Sequence, residues 1–395
     1  MPLIEVKNRF LRDESKQAEL EIFLSAQDCS QSESGIIDYG ANINFIDVVR
    51  VHFSKEGKMK SIQCHAESAD RLEQRIEDAI YTDHGKAVGR RVIFTNIGIS
   101  EQFRLGDDFQ IIPVPPDSPE IEYMMGDHPA LLEFSYDKSP NNILDNHRSN
   151  ERADELRVLI SAFVFGGIKW INNHADKYWV IEKSETGKWT SQYRQELYTC
   201  DDWKLKDGIG FSVLSEIDEI PLMKPTSYFT QLGIIPGNKF HLPTTIGEYF
   251  RKYDSLSLQD REMALLSAHW LQKSSVVYSA SASLSFSAIV YALESLIRNP
   301  ARIGDCDTCG QAIYERSISE SFRELIETHA RDVPKKSMND IYALRSKIAH
   351  GSGLIAHDQN VGFRFSDPLM KSRDLHHMAM HVCQVVFINW LMSRA

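Results

Sequence analysis

Apolar residues come in short runs over roughly the first 220 positions and recur every three to four positions over the last third. Short runs bounded by turn residues predict strands, and the longer recurrence predicts helices. Strands are expected at Phe45 to Phe53, Arg91 to Thr95 and Phe109 to Val114, with one helix at Glu67 to Tyr81 between them. The stretch Asp137 to Glu155 is polar and carries a Pro-Asn-Asn turn signal, so it reads as a linker or long loop. Strand-like runs resume at Val158 to Phe165, Tyr178 to Ile181 and Phe211 to Leu214. Prolines 221, 225, 236 and 243 then mark a connector, since each removes a backbone donor and disfavours helix before it. Beyond it the periodicity predicts five helices, at about 258–273, 279–298, 316–330, 338–350 and 368–392. The expected fold class is therefore α+β and multidomain: a mixed, β-rich N-terminal region followed by an all-α C-terminal bundle. The divisions fall at 1–145, 156–250 (one domain with the former or separate) and 255–395.

Two segments test that reading. Ser274 to Ile297 has Glu294 as its only charge, yet its eight serines make it a buried bundle helix and not a membrane span. Within it Ser279 to Ser287 alternates with period two, the pattern of a strand; the helical periodicity on both sides overrules that. In the last helix Leu375, Met378, Val382, Val385, Val386 and Trp390 form one stripe, which marks a core or a dimer seam.

Composition then narrows the class. The 395-residue chain carries a formal net charge of −11, but residues 274–395 hold 13 Lys+Arg against 12 Asp+Glu, so the acidity belongs to the N-terminal part. A neutral C-terminal region with six histidines suits a few phosphate contacts on a small structured RNA such as a tRNA loop, not a broad basic face. The start, Met1 to Arg9, has no apolar core of signal-peptide length, and six scattered cysteines make no disulfide framework. Both point to the cytoplasm. No phosphate-binding loop, dinucleotide fingerprint or HExxH sequence is present, and Gly166-Gly167 reads as a bend.

The segment Tyr342-Ala343-Leu344-Arg345-Ser346-Lys347-Ile348-Ala349-His350-Gly351 concentrates the candidate chemistry. A guanidinium is permanently charged and forks donors onto a phosphate, while an imidazole exchanges protons near neutral pH. Five helical steps of about 100° would turn His350 well away from Arg345. Gly351-Ser352-Gly353 predicts that the helix stops there and that His350 can return toward Arg345. The bland alternative is an arginine paired with a carboxylate and a histidine at a helix end.

An arginine followed four to six residues later by a histidine is the signature of the HEPN superfamily, and the text YALRSKIAHG resembles its Apea-like branch. Glu294, in IVYALESLIR, matches the acidic residue that these domains carry on an earlier helix, and the resemblance covers about the last third of the chain. It implies a HEPN-like helical bundle of four to five helices, paired in a homodimer so that two motifs share one cleft. It also implies metal-independent endoribonuclease activity, often in toxins and antiviral defence. Arg345 and His350 would then be catalytic with Glu294 orienting them, and Ser346 and Lys347 would touch substrate. The family more often has Asn, Asp or His where Ser346 stands. The N-terminal region would sense a trigger or bind an antitoxin. The alternative is a non-catalytic HEPN-like module that binds RNA, nucleotide or protein.

Cys306-Asp307-Thr308-Cys309-Gly310 is half a zinc knuckle, two thiolates two residues apart. Its remaining ligands would come from Cys383, His329, His376, His377 or His381, none at a diagnostic distance. Zinc there would be structural, with no cofactor needed for catalysis; the competing reading is two reduced cysteines on an exposed hairpin.

Overall fold

The computed structural model describes residues 3–6, 10, 16–25, 29–39, 48–95, 97–113, 128–164, 168–169, 178–183, 187–194, 210–213, 217–230, 240–278, 280–298, 301–305, 309, 312–355, 358 and 367–394. It is mixed α and β, with strands concentrated in the N-terminal part and helices in the C-terminal part. The chain forms two compact units, residues 1–89, 134–153 and 208–211 in the first, and 90–133, 154–207 and 212–395 in the second.

In the first unit β1 (Leu3–Glu5), β2 (Cys29–Glu33), β3 (Ile36–Tyr39), β4 (Val49–Phe53) and β5 (Met59–His65) make an antiparallel sheet in the order β1-β5-β4-β3-β2. Buried Met59, Ile62 and Cys64 break strict alternation on β5, and the register shift opposite them at His52/Phe53 absorbs the extra step. Helix α1 (Gln17–Ser25) buries Leu20, Phe23 and Leu24, spaced to form one apolar stripe. The helix expected at Glu67 to Tyr81 forms as a 3₁₀ turn, α2 (Ala69–Ile76) and a π turn at Glu77–Tyr81. Buried Arg148 donates to both Glu19 carboxylate oxygens at 2.9 and 2.7 Å, and to the Ile80 and Lys138 carbonyls.

The polar stretch read as a linker is instead the start of α3 (Asn142–Phe163), which also takes in the run Val158 to Phe163 that was expected to be a strand. Asn141 starts the helix, its side-chain oxygen accepting from the Ile143 and Leu144 amides. A run buried on every side carries no period, so a core helix and a core strand read alike. Phe165 and Gly166-Gly167 lie outside the described residues, as do Phe45 to Asp47 and Val114.

The strands β6 (Lys86–Thr95), β7 (Phe103–Leu105), β8 (Phe109–Pro113), β9 (His128–Asp137) and β10 (Ile168–Lys169) form a second sheet in the order β10-β6-β9-β8-β7. The expected strand at Phe211 to Leu214 is absent over its described residues 211–213, because Ser212 is held from the side. Its amide and hydroxyl donate to Glu133 at 2.8 and 2.6 Å. Arg90 and Gln110 complete four donors around that fully buried carboxylate, each at 2.6 Å. Burial alone would raise the Glu133 carboxyl, but the Ser212 and Arg90 bonds outweigh it and hold it below the ordinary range. Two pairs of strands follow, antiparallel β11 (Tyr178–Lys183) with β12 (Trp189–Arg194) and parallel β13 (Leu222–Met223) with β14 (Leu242–Pro243). Short α4 (Pro225–Thr230) and α5 (Ile246–Asp254) lead into the helical end.

Among the described residues beyond 255 there are five helices: α6 (Leu258–Val277), α7 (Ala282–Glu294), α8 (Ile318–His329), α9 (Lys335–Ala349) and α10 (Asp367–Ser393). The helix foreseen at 279–298 is shorter at both ends, since Ser281 caps it by accepting from the Leu284 amide at 3.2 Å and Ser295 ends it. Period-two alternation at Ser283, Ser285 and Ser287 is therefore accidental: all three are buried. Ser287 bonds the carbonyl one turn back, and Ser285 bonds His376 at 2.8 Å. On α10 the core positions are Val382, Cys383, Val386, Phe387, Trp390 and Leu391, while Met378 from the expected stripe is exposed. Phe163 packs against Phe250, Tyr249 and Phe387 with ring centroids 5.2, 5.3 and 5.8 Å apart. Among the described residues no helix is long and apolar enough to cross a membrane.

Candidate active site

Helix α9 is anchored by buried Met338 and Ile341, one turn apart, which turns Arg345 toward α7. There the Arg345 Nη2 donates to Glu294 Oε2 at 3.0 Å, and the guanidinium lies 5.6 Å from the ring centre of Tyr291, one turn before Glu294. Both partners are largely shielded, with 25% and 18% of their side chains exposed. The pair is incompletely satisfied: Glu294 Oε1 and Arg345 Nε are buried without a hydrogen-bond partner. Burial pushes the Glu294 carboxyl up, and the Arg345 charge and hydrogen bond pull it back without cancelling the rise.

The helix stops where the glycines predicted. The Gly351 amide donates to the Ile348 carbonyl at 3.0 Å and the Ser352 amide to Lys347 at 2.9 Å, while Gly351 takes φ +66°. These two bonds are a Schellman closure, and the left-handed residue at its centre is the reason for glycine. His350 is the last position before the turn, at φ −90°, ψ 6°, and its side chain is exposed. Its amide still donates to the Ser346 carbonyl at 3.0 Å, so the helix persists to His350 and does not fold the imidazole back on Arg345. Among the described residues no hydrogen bond, ion pair or ring contact joins His350 to Arg345 or Glu294. One chain thus unites Arg345 with Glu294 and leaves His350 facing solvent beside them in sequence. Ser346 is half-buried and Lys347 exposed.

The zinc residues do not assemble in what is described. Cys309 is an exposed free thiol between β15 (Arg302–Asp305) and β16 (Ala312–Tyr314), an antiparallel pair, and Cys306 lies outside the described residues. Cys383 is fully buried, its thiol pushed far up by burial and 3.7 Å from the Ile289 carbonyl; His376 is buried on Ser285. Burial lowers His381, and burial with the Arg394 charge lowers His329. These two imidazoles line a separate cavity of about 610 Å³ with Arg331, Asp332 and Asn389. Among the described residues no group of three or more His, Cys, Asp or Glu is placed to hold a metal ion.

Sequence reasoning missed Tyr291 and Asp358. Tyr291 was legible, three residues before Glu294 and so on its face. Asp358 bonds residues 75 to 77 positions away and left no local signal.

Scans of this chain against family models, curated proteins and solved structures return no match. Its functional reading therefore rests on its own residues.

Proposed function

We propose that residues 255–395 are a HEPN-like bundle acting as a metal-independent endoribonuclease. The observation carrying this is the Arg345–Glu294 pair, fixed between two helices one turn before an exposed histidine at a left-handed stop. In the reaction a ribose 2′-oxygen bonds to the adjacent phosphorus and the bond from phosphorus to the 5′-oxygen breaks. The products are a 2′,3′-cyclic phosphate and a 5′-hydroxyl. His350 takes the 2′-hydroxyl proton or delivers one to the leaving oxygen, a contribution worth about 10²–10⁴-fold. Arg345 neutralises charge developing on the phosphoryl oxygens through its permanently charged guanidinium. Glu294 holds the guanidinium, and Ser346 and Lys347 lie on the substrate side.

One His350 cannot move both protons at once, so the reading includes a homodimer whose two Arg345-to-His350 segments face one groove. The N-terminal region then serves as the sensing part of a toxin or antiviral effector. Total RNA incubated with the 395-residue chain in excess EDTA tests the activity. Fragments ending in cyclic phosphate are expected from the wild type, and none from soluble, folded His350→Ala or Arg345→Ala. Cleavage at the wild-type rate by either variant overturns the assignment. Intact RNA with measurable wild-type binding would instead mark a non-catalytic binding module.

A further inference from the structure

The chain beyond His350 is tied to the same helix that holds Arg345, but at its opposite end. Ile355, 2% exposed, donates its amide to Ser283 Oγ at 2.8 Å. The Asp358 carboxylate then takes three donors: the Ser281 hydroxyl at 2.7 Å, the Ala282 amide at 2.7 Å and the Ser283 amide at 2.8 Å. Its own amide closes back on the Ile355 carbonyl at 2.9 Å. Burial would raise this carboxyl, yet the Ser283, Ser281 and backbone bonds outweigh it and keep it below the ordinary range.

Ala282 and Ser283 are the first residues of α7, whose leading amides lack partners within the helix. Ser281 already caps that end through the Leu284 amide, so Asp358 is not needed as an ordinary cap. What it adds is a tie between distant parts of the chain. Helix α7 is 13 residues long, about 20 Å, and nearly all of it is buried. Its last residue, Glu294, grips Arg345; its first turn grips Asp358. In sequence the histidine lies between these two anchors, and among the described residues its own side chain has no hydrogen-bond or ion-pair partner.

We propose that Asp358 is a positioning residue for His350, setting where the imidazole stands relative to Arg345 by anchoring the chain beyond the turn, at Ile355 and at Asp358 itself, to the start of α7. The proposal rests on the endoribonuclease reading for its catalytic consequence. Loss of the tie lets the His350 turn sample more positions, and misplacement by about 1 Å can cost about a hundredfold in rate.

The test uses the 395-residue chain with Asp358→Ala, Asp358→Glu and Ser283→Ala, the last removing the hydroxyl that accepts from Ile355 and bonds Asp358 while leaving the carboxylate in place. Amide exchange should be at least tenfold faster across 350–355 in Asp358→Ala, with α6 and α10 unchanged. On an RNA that the wild type cuts in EDTA, kcat should fall at least tenfold with KM within twofold, and Asp358→Glu should recover part of it. Ser283→Ala should show the same direction more weakly, and it carries the test if Asp358→Ala does not fold. Wild-type exchange over 350–355 in a folded Asp358→Ala, or an unchanged kcat, overturns the proposal. If the wild type cuts no RNA, the enzyme reading fails and the exchange result alone decides whether Asp358 holds His350.

Discussion

Replacing Gly351 by alanine isolates one term, the cost of a left-handed residue. Gly351 sits at φ +66°, and a Cβ built there meets nothing within 4 Å, so no steric contact confuses the result. An L-residue in this region costs about 1–2 kcal/mol. Reduced freedom of the unfolded chain returns about 0.4–1 kcal/mol. The net is about 1 kcal/mol, or roughly a fivefold shift in the local opening equilibrium. Two controls share part of the chemistry. Gly353→Ala, two residues on, has no positive φ and its Cβ would lie 3.5 Å from that of Lys347, an ordinary contact, so it should be neutral or slightly stabilising. Gly57→Ala, at φ +81° with open space, should carry the same penalty in a turn of the first unit. Hydrogen exchange of the Gly351-to-Ser352 amides reads this directly, because both are donors in the turn. About fivefold faster exchange is expected in Gly351→Ala only, with RNA cleavage falling alongside. Equal exchange in Gly351→Ala and Gly353→Ala would refute the argument.

Glu133→Gln should destabilise the fold by about 3–5 kcal/mol, since an amide nitrogen would face two of the four donors and leave Arg90 without its counter-charge. The same group sets a pH dependence. Its folded carboxyl is depressed, so its contribution is present above the unfolded value near 4.5 and is lost as pH falls through the folded value; Glu133→Gln should flatten that part of the melting profile. Glu294 has the opposite sign: raised in the fold, it favours stability below the unfolded value and loses that contribution as pH rises through the folded one. Glu294→Gln should accordingly melt no lower than wild type at pH 7 while cutting RNA more slowly, and a clearly lower melting temperature would show that the Arg345 pair outweighs the burial cost and overturn the raised carboxyl. Mass photometry at micromolar concentration should show a dimer; a fully active strict monomer would sink the shared-groove arrangement.

The helical end was legible because its elements announce themselves locally. Ser257, Ser281 and Ser317 each accept from an amide three residues on, and apolar spacing places every helix beyond 255 to within a few residues. Glycines 351 and 353 looked equivalent in the sequence, and only backbone geometry shows that the first alone is left-handed. The hidden features were those fixed by distant partners. The start of α3 looks like a linker because its polar face is solvent-facing or, as with Arg148, spent on a buried partner 129 residues away. Ser212 sits in strand-like text yet answers to Glu133 across 79 residues.

Helix α3 has a consequence for how this protein can be controlled or inherited. Its residues 142–153 belong to the first compact unit and 154–163 to the second, where Phe163 stacks on Phe387 and Glu155 accepts from Tyr253 and Arg261 at 2.9 and 2.7 Å. A protease cut near residue 250 would break the covalent link between these helices and Phe163 and Glu155, so a fragment beginning there should melt lower than the same helices in the uncut chain. Recombination that grafted the last third onto another protein would leave out the same two residues.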